Sequence, residues 1–208
     1  MHVKLRSLLL FIIFLLGWFA VSTQLVLMIG NRKTDVGETI IRFFSFFTVL
    51  TNLLVAIFAS LKLFGKNDKI TSWLINYRSE TAITLYIVIV GLVYNIILRS
   101  IWNPTGLQKV VDELLHTVIP LLFLGYWIAF VDKKLLVYKD ILPWLIYPAV
   151  YCIFVLFRGY FSDFYPYPFI DVTVLGYAQT AINSFFLILV FIAFSLCFVV
   201  TGKISARR

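Results

Sequence analysis

The chain has 208 residues, 62% of them hydrophobic and 13% charged, with a formal net charge of +8. A charged share about half that of soluble domains cannot cover a water-facing surface, which excludes an ordinary soluble enzyme. The basic residues are scattered through short loops, a pattern that points to lipid headgroups and membrane topology and away from nucleic acid.

Six apolar blocks follow one another at 8–30, 40–64, 82–101, 110–131, 141–157 and 174–200. Each approaches or exceeds the roughly 20 residues that cross a hydrocarbon core of about 30 Å. Strict alternation over shorter segments, the mark of a membrane barrel, is not seen. The expectation is an all-α integral membrane protein, a six-helix bundle using residues 1–208 as one domain. The first block is too long for a signal-peptide core and lacks a small-residue cleavage site, so it reads as a true span. Of the 18 Lys and Arg, twelve lie on the N-terminus, the second and fourth loops and the C-terminus, and six on the opposite side. The positive-inside rule then places both termini in the cytoplasm.

The second block contains FFSFFTVLTNLL, in which Ser45, Thr48, Thr51 and Asn52 interrupt a run of phenylalanines and aliphatics. Read as one helix, it carries Arg42, Ser45, Thr48 and Asn52 on one face. The third block offers Gly91, Asn95 and Arg99 at steps of four near its outer end. On the fourth, Asp112 and His116 form an i, i+4 pair, with Glu113 and Thr117 alongside. The fifth contributes Arg158, and the sixth Gln179 and Asn183. Polar groups are expensive against lipid, so these should point inward, lining a polar cavity in the outer half of the membrane. The inner halves look plainer. From the helical rise, Thr48 lies roughly 12 Å and His116 roughly 9 Å along their spans from the outer side.

His116 is one of two histidines, and an ionisable group inside a membrane is a functional hypothesis in itself. Imidazole is the usual base that activates a hydroxyl, so Thr48 as nucleophile and His116 as base form a minimal catalytic pair. Either Asp112 or Glu113 can support the imidazolium as a third member. Asn52 or Asn95 is placed to donate to a developing oxyanion, and Arg42, Arg99 and Arg158 to hold an anionic substrate head. No Cys/His metal spacing or phosphate loop occurs, so no metal or cofactor is expected. Cys152 and Cys197 read as small hydrophobes within spans.

Three pieces carry a family resemblance: Phe47-Thr48-Val49-Leu50, then His116-Thr117-Val118-Ile119-Pro120, and Tyr167-Pro168-Phe169-Ile170-Asp171. Through them the chain resembles the androgen-induced family of multi-span membrane hydrolases of fatty acid esters of hydroxy fatty acids, and more closely its bacterial six-span relatives. The resemblance implies a threonine hydrolase in a bacterial inner membrane, with the family's threonine and histidine at Thr48 and His116. It also implies a lipid ester drawn from the bilayer as substrate. The His-to-Pro spacing is one residue shorter than in the animal proteins, and Asn52 stands near a position where they tend to carry an acid. A different class, a small transporter or binding protein for an anionic lipid or acid, uses the same arginines and His116 as a substrate site or proton relay.

Overall fold

The computed structural model describes residues 2–66 and 68–206, without the side chains of His2, Ile70 and Trp73. Arg207 and Arg208, two of the charges that set the expected topology, lie outside the described residues. Regular structure among the described residues is entirely helical, and six of the helices are long and apolar enough to cross a membrane. The chain divides into two compact units, Met1–Asp132 and Lys133–Arg208.

The first unit holds four spans. Helix α1 (His2–Gly30) runs along α3 (Phe47–Phe64), with the short α2 (Val36–Phe43) between them in sequence. Small residues permit the close approach: a Cβ added to Gly17 would meet that of Ala56 at 3.1 Å. Trp18 Nε1 donates to Ser60 Oγ across the same interface at 3.0 Å. After the short α4 (Lys69–Leu74) comes α5 (Tyr77–Val93), whose start is capped by the Asn76 side chain accepting from the Arg78 and Ser79 N–H groups. It continues as a π-helical turn, Tyr94–Leu98. The fourth span comprises α6 (Gly106–Glu113), a second π-helical turn (Leu114–Val118) and α7 (Ile119–Phe130). Fully buried Phe58, Phe123 and Tyr126 interlock edge-on and tilted in the apolar core of this unit.

The expected second span, unbroken over 40–64, is corrected here. Helix α2 ends at Phe43, Phe46 is extended (φ −83°, ψ 123°), and α3 begins at Phe47. Ser45 explains the stop: its hydroxyl donates to the Ile41 carbonyl at 2.7 Å, and its N–H to Arg42 at 3.0 Å. Local bonding of this kind competes with helix continuation. Arg42 and Ser45 therefore share no helical face with Thr48 and Asn52. Thr48 is the second residue of α3.

The second unit holds α8 (Ile141–Ser162) and α9 (Val172–Ala206), the latter kinked at Gly176, whose φ of 74° suits glycine. The connection between them lies over Gly159, where any Cβ would collide with the Tyr165 ring. Near the far end of α9, Gly202 lets the helix close on the Lys133 carbonyl and on Leu136. Cys152 and Cys197 are free thiols.

Candidate active site

Pro120 organises the polar cluster of the first unit. Lacking an N–H, it cannot donate to the His116 carbonyl, its partner in a regular helix, and its ring crowds that carbonyl. The chain relaxes by widening: the Ile119 N–H reaches back five residues to Leu114 O, making the π-helical turn. Two carbonyls thereby lose their helical donors. Leu115 would accept from Ile119 in an α-helix or from residue 120 in a π-helix, and His116 from residue 120 in an α-helix.

Two asparagines from neighbouring helices take those places. Asn52 Nδ2 donates to Leu115 O at 3.1 Å and to Thr48 O at 2.9 Å. Asn95 Nδ2 donates to His116 O at 3.2 Å and to Gly91 O at 2.8 Å. Each amide serves one carbonyl of its own helix and one of the fourth span. Both N–H groups of each are engaged, so the expectation that Asn52 or Asn95 donates to an oxyanion gives way to a structural assignment. Gly91 makes the close approach possible, since a Cβ there would stand 3.1 Å from His116 O and 3.2 Å from the Pro120 ring. Facing two carbonyls fixes which end of the Asn52 amide is nitrogen. Its Oδ1 is buried without a hydrogen-bond partner.

The π-turn presents His116 to Asp112 and Tyr94. His116 Nδ1 lies 2.9 Å from the Asp112 carbonyl oxygen and 3.4 Å from carboxylate Oδ1. Both are acceptors, which commits Nδ1 as the protonated nitrogen and leaves Nε2 with the lone pair. The Tyr94 hydroxyl donates to the other carboxylate oxygen, Asp112 Oδ2. Its ring stacks on the imidazole with centroids 4.0 Å apart and planes 14° from parallel. Tyr94 thus holds both partners of the pair. The sequence reading passed over it because a tyrosine among aliphatics looks like packing; its signal was adjacency to Asn95, at the level of His116.

Glu113 is used differently. It pairs with Arg99 and accepts from Thr117 Oγ1 at 3.0 Å. Arg99 also donates to Asn95 Oδ1 at 2.8 Å, so Asn95, Arg99 and Glu113 form one chain of contacts beside His116. Of the two acids next to His116, Asp112 is therefore the one at its ring. Thr48, 8% exposed, stands in the first turn of α3, one turn before Asn52 and tied through it to the residue preceding His116.

The other arginines are occupied as well. Arg42 Nε contacts Glu38 Oε1 at 2.7 Å within α2. Arg158 and Asn183 belong to the second unit, where they secure the segment between α8 and α9. Arg158 donates to Phe164 O at 3.5 Å and lies 5.0 Å over its ring, while Asn183 donates to Phe169 O at 2.8 Å. Among the described residues no three His, Cys, Asp or Glu side chains gather where they could hold a metal.

A second polar cluster lies at the end of the first unit that carries the N-terminus of α1, where buried Glu80 meets Lys62 and Arg6. Comparison with family models, with curated proteins and with solved structures finds no match.

Proposed function

We propose that the chain is an intramembrane hydrolase of lipid carboxylic esters, in which Thr48 is the nucleophile, His116 the general base and Asp112 its orienting acid. The reading places it in a bacterial inner membrane, both termini cytoplasmic, with a polar cavity open to the outer leaflet. One observation carries it. The Asp112–His116 pair occupies Nδ1 and leaves the lone pair on Nε2, on a turn whose Leu115 carbonyl shares the Asn52 amide with the carbonyl of Thr48. The motif resemblance at Thr48 and His116 supports the same pairing.

In the first step His116 Nε2 takes the Thr48 hydroxyl proton as Oγ attacks the ester carbonyl. Charge develops on the carbonyl oxygen beside the N-terminal end of α3, the positive end of its dipole, where Phe46 offers no side-chain cap. The C–O bond to the alcohol breaks, and the imidazolium returns its proton to the leaving oxygen. Water then repeats the attack on the acyl-threonine with His116 again as base, releasing the acid and restoring the hydroxyl. Asn52 Oδ1, a buried acceptor, suits the O–H of that leaving alcohol or water. Tyr94 acts through Asp112 and the ring stack, as a positioning residue.

A fatty acid ester of a hydroxy fatty acid, offered to the purified protein in detergent, should yield both acids in equal amounts. A fluorophosphonate should label Thr48, identified by mass spectrometry, and block turnover. Labelling at another residue with turnover intact would remove Thr48 from the mechanism. Tyr94→Phe keeps the stack and loses one hydrogen bond to Asp112. A lost hydrogen bond to a charged group is worth about 1.5 kcal/mol, so kcat should fall on the order of tenfold with KM unchanged. A rise in KM alone would assign Tyr94 to substrate binding instead.

A further inference from the structure

The cluster at the opposite end of the first unit joins one side chain from each of its four spans. Glu80 at the start of α5 has a side chain only 6% exposed, and Lys62 Nζ lies 2.5 Å from its Oε1. Arg6 Nη2 stands 4.0 Å from the same oxygen and donates to the Tyr126 hydroxyl of α7 at 3.1 Å. Two cations converge on one carboxylate, which leaves a surplus positive charge above the Phe58 and Tyr126 rings. An uncompensated charge against apolar helices is costly, so a surplus that persists calls for an anion. One further feature identifies its chemistry: 39% of the Arg6 side chain stays open to the surroundings. An arginine with spare fork donors beside a lysine is the combination that binds tetrahedral oxyanions.

Depth agrees. Arg6, Lys62, Glu80 and Tyr126 each fall within about one turn of the end of their helix, where the hydrocarbon core gives way to headgroups. We propose that Arg6 and Lys62 form a binding site for a phosphate oxyanion, supplied by an anionic phospholipid headgroup or by free phosphate, with Glu80 fixing the two cations in place. A static clasp between helices uses the same ion pairs but needs no anion, and the two differ in what they bind. The site is independent of the hydrolase reading, being assembled from residues with no part in that chemistry.

The test uses the full-length protein in a neutral detergent. Its thermal midpoint and native mass spectrum are followed on adding phosphatidylglycerol, phosphatidylcholine, or inorganic phosphate against chloride of equal ionic strength. The expected result is one phosphatidylglycerol retained per chain and a raised midpoint, with phosphatidylcholine weaker. A response to inorganic phosphate as strong as that to the lipid assigns the site to the free anion, and a response to the lipid alone assigns it to the headgroup. Arg6→Gln and Lys62→Gln should each weaken binding about fivefold, the worth of one basic side chain near a charged surface. Should a glutamine variant not fold, Arg6→Lys keeps the charge, loses the fork, and should still bind more weakly. Equal responses to both lipids and to chloride, or unchanged affinity in all three variants, would overturn the proposal and leave a clasp.

Discussion

Thr48→Ala and His116→Ala are each expected to reduce ester turnover to the background level while the protein stays folded. Removing a nucleophile or its base typically costs several powers of ten in kcat, because the two act as one unit and neither retains function alone. The variants should differ in what they leave behind. Without His116 the hydroxyl remains, so a highly activated ester can still acylate Thr48 slowly; without Thr48 no acyl adduct forms at any time. Mass spectrometry of the intact protein after an activated ester reads the difference directly. The double variant should be no worse than either single one, the signature of a shared step. Both variants keep two anchors of the site, the Asn52 bond to the Thr48 carbonyl and the Tyr94 bond to Asp112. Full activity in both single variants would end the threonine–histidine mechanism.

Much of this arrangement was legible in the residues, for uneven reasons. The six spans follow from block length and hydropathy, because bilayer thickness leaves so few alternatives. The Asp112–His116 pair follows from i, i+4 spacing, which survives the widened turn between them. The stop at FFSFF was not legible: it contains neither Gly nor Pro, and a serine bonding back to Ile41 looks in sequence like any membrane serine. That Glu113 leaves the imidazole to Asp112 was not legible, because its partners Arg99 and Thr117 had to be seen in place. Glu80 escaped notice because Arg6 and Lys62 were counted as topology signals, and a sum of charges says nothing of what they meet. Pro120 was read only as part of a motif, although an interior proline always strips a carbonyl of its donor.

That proline leads to the second large effect. Asn52→Leu should lower kcat/KM by about 10²-fold, the scale of a misplacement near 1 Å in a catalytic group. The variant leaves the Leu115 carbonyl without a donor, since Ile119 already serves Leu114 and residue 120 has no N–H to offer. Interhelical hydrogen bonds in membranes average only about 0.6 kcal/mol, because a broken pair usually finds another partner. Here the other partners are missing, so the loss should lie nearer the roughly 1–3 kcal/mol of a stranded buried group. Pro120→Ala tests the cause. An alanine supplies the missing N–H, the turn can return to α-register, and the carbonyls of Leu115 and His116 recover helical donors. Asn52→Leu and Asn95→Leu should then be milder in the Pro120→Ala background than alone, with a coupling of about 1 kcal/mol by unfolding in mixed detergents. Pro120→Ala by itself should keep the fold and lose most activity, because closing the widened turn swings His116 away from Tyr94. Additive stabilities, or a fully active Pro120→Ala protein, would show that the asparagines do not stand in for the missing N–H, and that the widened turn does not aim the imidazole.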